Sequence, residues 1–126
     1  MQEQDFKEIR QSLGKTQKEM AQLLSVSLKA VHSYEQGWRR VPAAVERQMY
    51  FLLCRKMSAT HHAKPCWKIR KCSAATKRQC PAWEFRTGEL CWFINGTLCN
   101  GQAHKDWREK MAICRSCEVF RSQLSL

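Results

Sequence analysis

The sequence predicts a mainly α chain in two parts. Residues 1–57 form a four- to five-helix domain, residues 58–65 a linker, and residues 66–126 a small cysteine-rich domain, metal- or cluster-stapled, with one helix and a short hairpin. Three observations predict this. Apolar residues recur at helical spacing through the first half. Cys54 is the one cysteine of residues 1–57, whereas seven lie between 66 and 117. The segment 58–65 between them is polar and ends in proline, a boundary signal. Each part is near 60 residues, a size at which a hydrophobic core alone is marginal and a partner, metal or disulfide is needed.

The elements of the first half follow in order. Phe6, Ile9 and Leu13 mark a first helix, which Gly14 stops. Thr16-Gln-Lys-Glu19 is a capping box, so a second helix starts at Gln17 with Met20, Leu23 and Leu24 on its apolar face. Ser25-Val26-Ser27 is a tight turn. A third helix runs from Leu28 to Gln36, turns Ala30 and Val31 inward, and ends at Gly37. Pro42 opens a fourth, with Val45, Met49, Leu52 and Leu53 facing the core and Cys54 as a core residue.

In the second half, Asn95-Gly96 is a hairpin-turn signal between two short strands, Trp92-Phe-Ile94 and Thr97-Leu-Cys99. Residues 103–120 read as one helix, with Trp107, Met111 and Cys114 on one face and Asp106 and Lys110 as a surface i,i+4 pair. Cys-Trp occurs at 66–67 and again at 91–92, a weak internal echo.

The chain carries 22 Lys and Arg against 11 Asp and Glu. The excess covers both parts: 10 basic and 6 acidic side chains in residues 1–57, and 12 and 5 in residues 58–126. Such a surface suits a polyanion, because each phosphate contact releases condensed counterions. The start is polar and acidic, without the basic flank and apolar run of a secretory leader. The longest apolar run, Met49-Tyr-Phe-Leu-Leu-Cys54, is far too short to span a bilayer. A cytoplasmic protein with no membrane association is expected, and its cysteines then favour metal or redox roles over structural disulfides.

Thr16-Gln-Lys-Glu-Met-Ala-Gln-Leu-Leu-Ser-Val-Ser27, then Ala30-Val31 and Tyr34-Glu-Gln-Gly37, resemble the Cro/cI-type (XRE) helix-turn-helix regulators over roughly residues 5–55. The resemblance implies a domain that lays its third helix in the major groove of double-stranded DNA, as a homodimer on two half-sites. It implies that Gln17 bonds a phosphate and braces the recognition helix. It places Ser27 at the entry of that helix and Leu28, Lys29, His32 and Ser33 on its base-facing surface. Leu28 departs from the polar residue common there and suits a thymine methyl. Gln36, Arg39 and Arg40 become phosphate clamps, which position without specifying. Arg10 and Glu35 resemble an ion pair that ties the first helix to the third.

The seven cysteines, Cys66, Cys72, Cys80, Cys91, Cys99, Cys114 and Cys117, are separated by 5, 7, 10, 7, 14 and 2 residues. Only Cys114 and Cys117 form a Cys-x-x-Cys, where common zinc ribbons use two such pairs. A subset of four is expected to hold a metal centre. An iron–sulfur cluster is favoured over Zn²⁺, because clusters tolerate wide gaps and a regulator needs an input. A structural zinc staple for dimerisation or partner docking is the alternative, and thiol–disulfide switching or ordinary buried cysteines a third reading. Lys68, Arg70, Lys71, Lys77, Arg78 and Arg115 would offset thiolate charge, and Trp67, Trp83, Trp92 and Phe93 would shield the centre. His104 is a lesser candidate ligand; His61 and His62 read as solvated. The Cys-Trp pattern resembles a cysteine-rich module of bacterial regulators and chemoreceptors, which implies a sensor or ligand domain. No catalytic triad, phosphate loop or His-Glu-x-x-His motif is present, so neither an enzyme nor a small-molecule substrate is expected.

Overall fold

The computed structural model describes residues 1–58, 65–99 and 102–124. His61, His62 and most of the predicted linker lie outside the described residues. The chain divides into two units, Met1–Lys56 and Met57–Leu126.

The first unit is helical: α1 (Glu3–Ser12), α2 (Gln17–Leu24), α3 (Leu28–Gln36) and α4 (Ala43–Ser58). Its punctuation is local chemistry. Thr16 Oγ1 accepts from the Glu19 amide at 3.1 Å, and Glu19 Oε1 accepts from the Thr16 amide at 3.0 Å, so the capping box starts α2. The Thr16 amide, and after it the Thr16 hydroxyl, hold the Glu19 carboxyl below its usual range. Ser25 ends α2 in the left-handed conformation, φ 57°. Ser27 caps α3 by accepting from the Ala30 amide at 3.0 Å.

Phe6, Met20, Leu24, Val31, Tyr34 and Met49 form the core of this unit, with Phe6 and Tyr34 ring centroids 5.6 Å apart. Cys54 is buried, as the sequence predicts. Leu23 is not: it is 48% exposed, and Ala21 is buried in its place. In an eight-residue helix, Met20 and Leu24 set the inward face, and the third apolar position can fall on either flank of it.

The described part of the second unit holds six helices where the sequence predicts one: α5 (Cys66–Ile69), α6 (Ala74–Arg78), α7 (Pro81–Glu84), α8 (Cys91–Ile94), α9 (Trp107–Cys114) and α10 (Glu118–Leu124). A 3₁₀ turn, Gly88–Leu90, precedes α8. The strands β1 (Leu98–Cys99) and β2 (Gln102–Ala103) pair antiparallel, with Leu98 opposite Ala103 and Cys99 opposite Gln102.

Two predictions fail here for identifiable reasons. Trp92-Phe-Ile94 is helical, because Asn95-Gly96 acts as a helix stop: Gly96 takes φ +59° just past α8. The same dipeptide serves hairpins and helix ends alike, since both require a left-handed residue. The single helix over 103–120 is two. Asp106 caps α9 through Oδ1 to the Glu109 amide at 2.8 Å, and α9 closes in a turn at Arg115 and Ser116. Asp106 Oδ1 is engaged in that cap, and Lys110 turns inward.

Helices of four or five residues are far below the length at which a helix stands alone in water. Tertiary packing holds them. Trp92, Met111, Val119, Phe120 and Leu124 are buried, and Trp92 meets the Phe120 ring edge-on at 5.8 Å.

Candidate nucleic-acid interface and candidate metal centre

On the first unit, α3 presents Leu28, Lys29, His32 and Gln36 to solvent, and Arg39 and Arg40 follow it, also exposed. Ser27 is exposed, with its hydroxyl engaged in the cap. Ser33 departs from the prediction: it is 7% exposed and cannot read a base edge. The cause is the helix terminus. Gly37 takes φ 75°, and the amides of Trp38 and Arg39 fold back onto the Ser33 carbonyl at 3.0 and 3.3 Å, so the chain covers that side of α3.

Trp38 is 70% exposed and stands edge-on to His32, ring centroids 5.4 Å apart. The Arg39 guanidinium lies 5.8 Å from the centre of the Tyr34 ring. From sequence, Trp38 packs either against the domain or against a sugar; the structure sets it beside His32 on the exposed face.

One carboxylate fixes the attitude of α3. Glu35 Oε1 accepts from Arg10 Nε at 2.6 Å, joining α3 to α1. Its Oε2 accepts from Gln17 Nε2, joining α3 to the start of α2. Arg10 Nη1 also donates to the Lys15 carbonyl at 2.8 Å. Gln17 therefore braces the recognition helix through Glu35.

On the second unit, all seven cysteines line one cavity of about 60 Å³. Every one of them stands at or beside the end of a short element. Cys66 and Cys91 open α5 and α8, Cys80 precedes α7, Cys99 ends β1, Cys114 ends α9 and Cys117 precedes α10. Cys72 follows Lys71, whose φ of 52° turns the chain after α5. Cavity walls are completed by Trp92, Leu98, Phe120, Asn95, Thr76, Arg70 and Lys110. By the same kind of volume one water fills roughly 10–15 Å³, so the space exceeds that of a single small ion. Among the described residues, no three His, Cys, Asp or Glu side chains are grouped to hold one metal ion. The thiols border a space and do not meet at a point.

The electrostatics are uneven. Arg70 Nη2 donates to Cys117 Sγ at 3.0 Å. Burial pushes the Cys117 thiol up, but the Arg70 bond and the Phe120 and Val119 amides outweigh it and leave it below the usual range. The same bond raises Arg70. A hydrogen bond between the Cys66 and Cys91 thiols lowers Cys66 and raises Cys91, which burial raises further. Burial lifts Cys114 to about 11, against the pull of Lys110. Cys72 also rises, by burial and by the neighbouring Cys66 and Cys80. Asn95 Nδ2 donates to Cys80 Sγ at 3.8 Å.

Lys110 is 1% exposed; its ammonium donates to the Trp92 carbonyl and lies 5.0 Å from the centre of the Trp107 ring. Of the six basic residues expected to offset thiolate charge, Arg70 alone lines the cavity, and Lys77 sits instead over the Trp83 ring at 4.6 Å. Lys110 was hidden from sequence reasoning by its i,i+4 spacing from Asp106. Of the predicted aromatic shields, Trp92 borders the cavity. Trp67 and Trp83 meet edge-on at 4.9 Å and line a separate space of about 310 Å³ with Pro65, Glu84 and Arg86. His104 is half-buried and does not line the thiol cavity.

No described helix is long and apolar enough to cross a membrane. No curated protein and no solved structure matches the chain. Residues 6–44 match the model of the helix-turn-helix family, and this span holds α2, the turn at Ser25 to Ser27, α3, Arg10 and Glu35. The first unit thus carries a helix-turn-helix segment similar to that family, which supports a DNA-binding transcription regulator.

Proposed function

We propose that this regulator acts as a homodimer and senses redox state or oxygen through a metal centre held in the thiol cavity, an iron–sulfur cluster in preference to zinc. The observation that carries the reading is the convergence of Cys66, Cys72, Cys80, Cys91, Cys99, Cys114 and Cys117, with their wide spacing, on one cavity. Four of them would hold the centre. A tetrahedral zinc site brings four sulfurs to about 2.3 Å from one point. A polynuclear cluster instead takes its thiolates around a body, which suits walls that border a space.

Charge supports the same reading. Four thiolates around a dication leave a net charge of about −2. Arg70 and Lys110 are the two basic residues of the cavity wall. Arg70 donates to a sulfur from the exposed side, Lys110 supplies a buried ammonium, and Trp92, Leu98 and Phe120 give the cavity apolar wall. Bound in the cavity, a cluster would supply one-electron redox chemistry and lability to oxygen. Coupling to DNA would run through the dimer. Half-sites lie about one helical turn apart, so a change in dimer geometry changes the affinity of two linked recognition helices together.

Anaerobic purification of the full chain, followed by metal and sulfide analysis and an absorption spectrum, tests the centre. Iron, acid-labile sulfide and visible absorption are expected. A colourless protein with stoichiometric zinc would replace the sensor with a structural staple, and a chain without metal would end the proposal. Equal DNA affinity with and without the centre would end the sensing part alone.

The DNA face is tested by two substitutions. Lys29→Ala is expected to relax preference among duplexes, costing about 1–3 kcal/mol on the preferred one. Arg39→Ala is expected to weaken all duplexes alike and to reduce the salt slope by about one unit. Identical profiles for the two variants would contradict their assigned roles.

A further inference from the structure

We infer that Cys66 and Cys91, the cysteines of the two Cys-Trp motifs, form a redox-active dithiol whose substrate is a small hydroperoxide. The motifs are more alike than their first two residues. Cys66-Trp-Lys-Ile69 and Cys91-Trp-Phe-Ile94 share three of four residues, and each forms one helical turn that begins at its cysteine. The two turns converge on one core. Cys66 is buried with Ala82 and Val119, and Ile69, Cys91 and Ile94 all pack against that cluster. The two cysteines are thereby brought together, Cys91 against the cluster that holds Cys66. Other sulfurs are engaged differently: Cys117 accepts from Arg70, and Cys80 from Asn95.

Both sulfurs border the cavity of about 60 Å³. That space admits a molecule of water's scale, such as hydrogen peroxide, and excludes a tripeptide disulfide. The chemistry proceeds in two steps. The Cys66 sulfur attacks the peroxide O–O bond, the bond breaks, and Cys66 sulfenic acid and water form. The Cys91 sulfur then attacks the Cys66 sulfur, loses its proton and displaces the hydroxyl as a second water. The two thiols lose two electrons and the peroxide gains them. Closing the pair sets the sulfurs ~2.05 Å apart and locks the two turns together. This site goes beyond the metal centre, for Cys72, Cys80, Cys99, Cys114 and Cys117 remain to supply four ligands.

The test uses the full chain, purified anaerobically with its thiols reduced and divided between hydrogen peroxide and oxidised glutathione at equal concentration. Tandem mass spectrometry of unreduced peptides reads the products, and metal is measured on the same preparation. The expected result is a Cys66–Cys91 bridge, two hydrogens lighter, with peroxide and not with glutathione. In Cys91→Ser, a 1,3-dione reagent is expected to trap the sulfenic acid at Cys66, and Cys54→Ser, in the first unit, is expected to keep the bridge. Bridging of Cys66 to another cysteine, oxidation elsewhere with both thiols intact, or equal reaction with glutathione would overturn the assignment. A bridge in a preparation without metal would leave the dithiol standing and remove the metal centre; metal without a bridge would do the reverse.

Discussion

Glu35→Ala is expected to unfold the first unit. Removing one partner of a buried ion pair costs about 3–5 kcal/mol, because the other charge is left in a poor dielectric without compensation. The Glu35 side chain is 3% exposed and that of Arg10 is 13% exposed, so little solvent screening softens the loss. Here Gln17 loses its acceptor as well. A unit the size of Met1–Lys56 has about 3–8 kcal/mol of stability in total. The substitution therefore consumes most of it. Urea denaturation followed by circular dichroism is expected to show the loss, together with DNA binding. The double variant Arg10→Met/Glu35→Leu, which leaves no orphaned charge, is expected to be the more stable of the two. A single variant within about 1 kcal/mol of the parent would show that Glu35 does not hold α3.

Lys110→Met is expected to have the larger effect on the second unit, and its direction reveals the charge of the cavity. If four thiolates hold a centre there, loss of the ammonium leaves their charge undercompensated. Metal affinity then falls by about 10²–10³-fold, the equivalent of roughly 3–4 kcal/mol. If the cavity holds neutral thiols, a buried ammonium is a burden, and a methionine of similar length relieves it and raises stability. Competition with a chelator reads the first outcome and urea denaturation the second. Stabilisation without any change in metal affinity would contradict the proposed centre.

What could be read from the sequence tracks the length of the elements. In the first unit, helices of eight to sixteen residues carry a period, and their ends carry a capping box at Thr16, a cap at Ser27 and a stop at Gly37. The exposed places of Lys29, His32 and Gln36 follow from phase alone. Ser33 does not, because its burial comes from the fold-back after Gly37 and not from the helix face. In the second unit, α5, α7 and α8 are each one turn long, too short to show a period. Asn95-Gly96 carries a signal that two structures share. Lys110 reads as a surface residue until tertiary packing takes it inward. The seven cysteines announce a shared chemistry, but their assembly depends on contacts distant in sequence, which spacing cannot predict.

Most of the thiols stand at the ends of short elements. A sulfur on a helix face can change its bonding while the backbone stays put. A sulfur at a joint cannot, because whatever grips or releases it also alters the angle at which one rod leaves the next. Oxidation of these thiols, or uptake of the proposed metal centre, would therefore be a mechanical event as well as a chemical one. Shape responds to sulfur chemistry at its source, with no need for a wire to carry the message through the core.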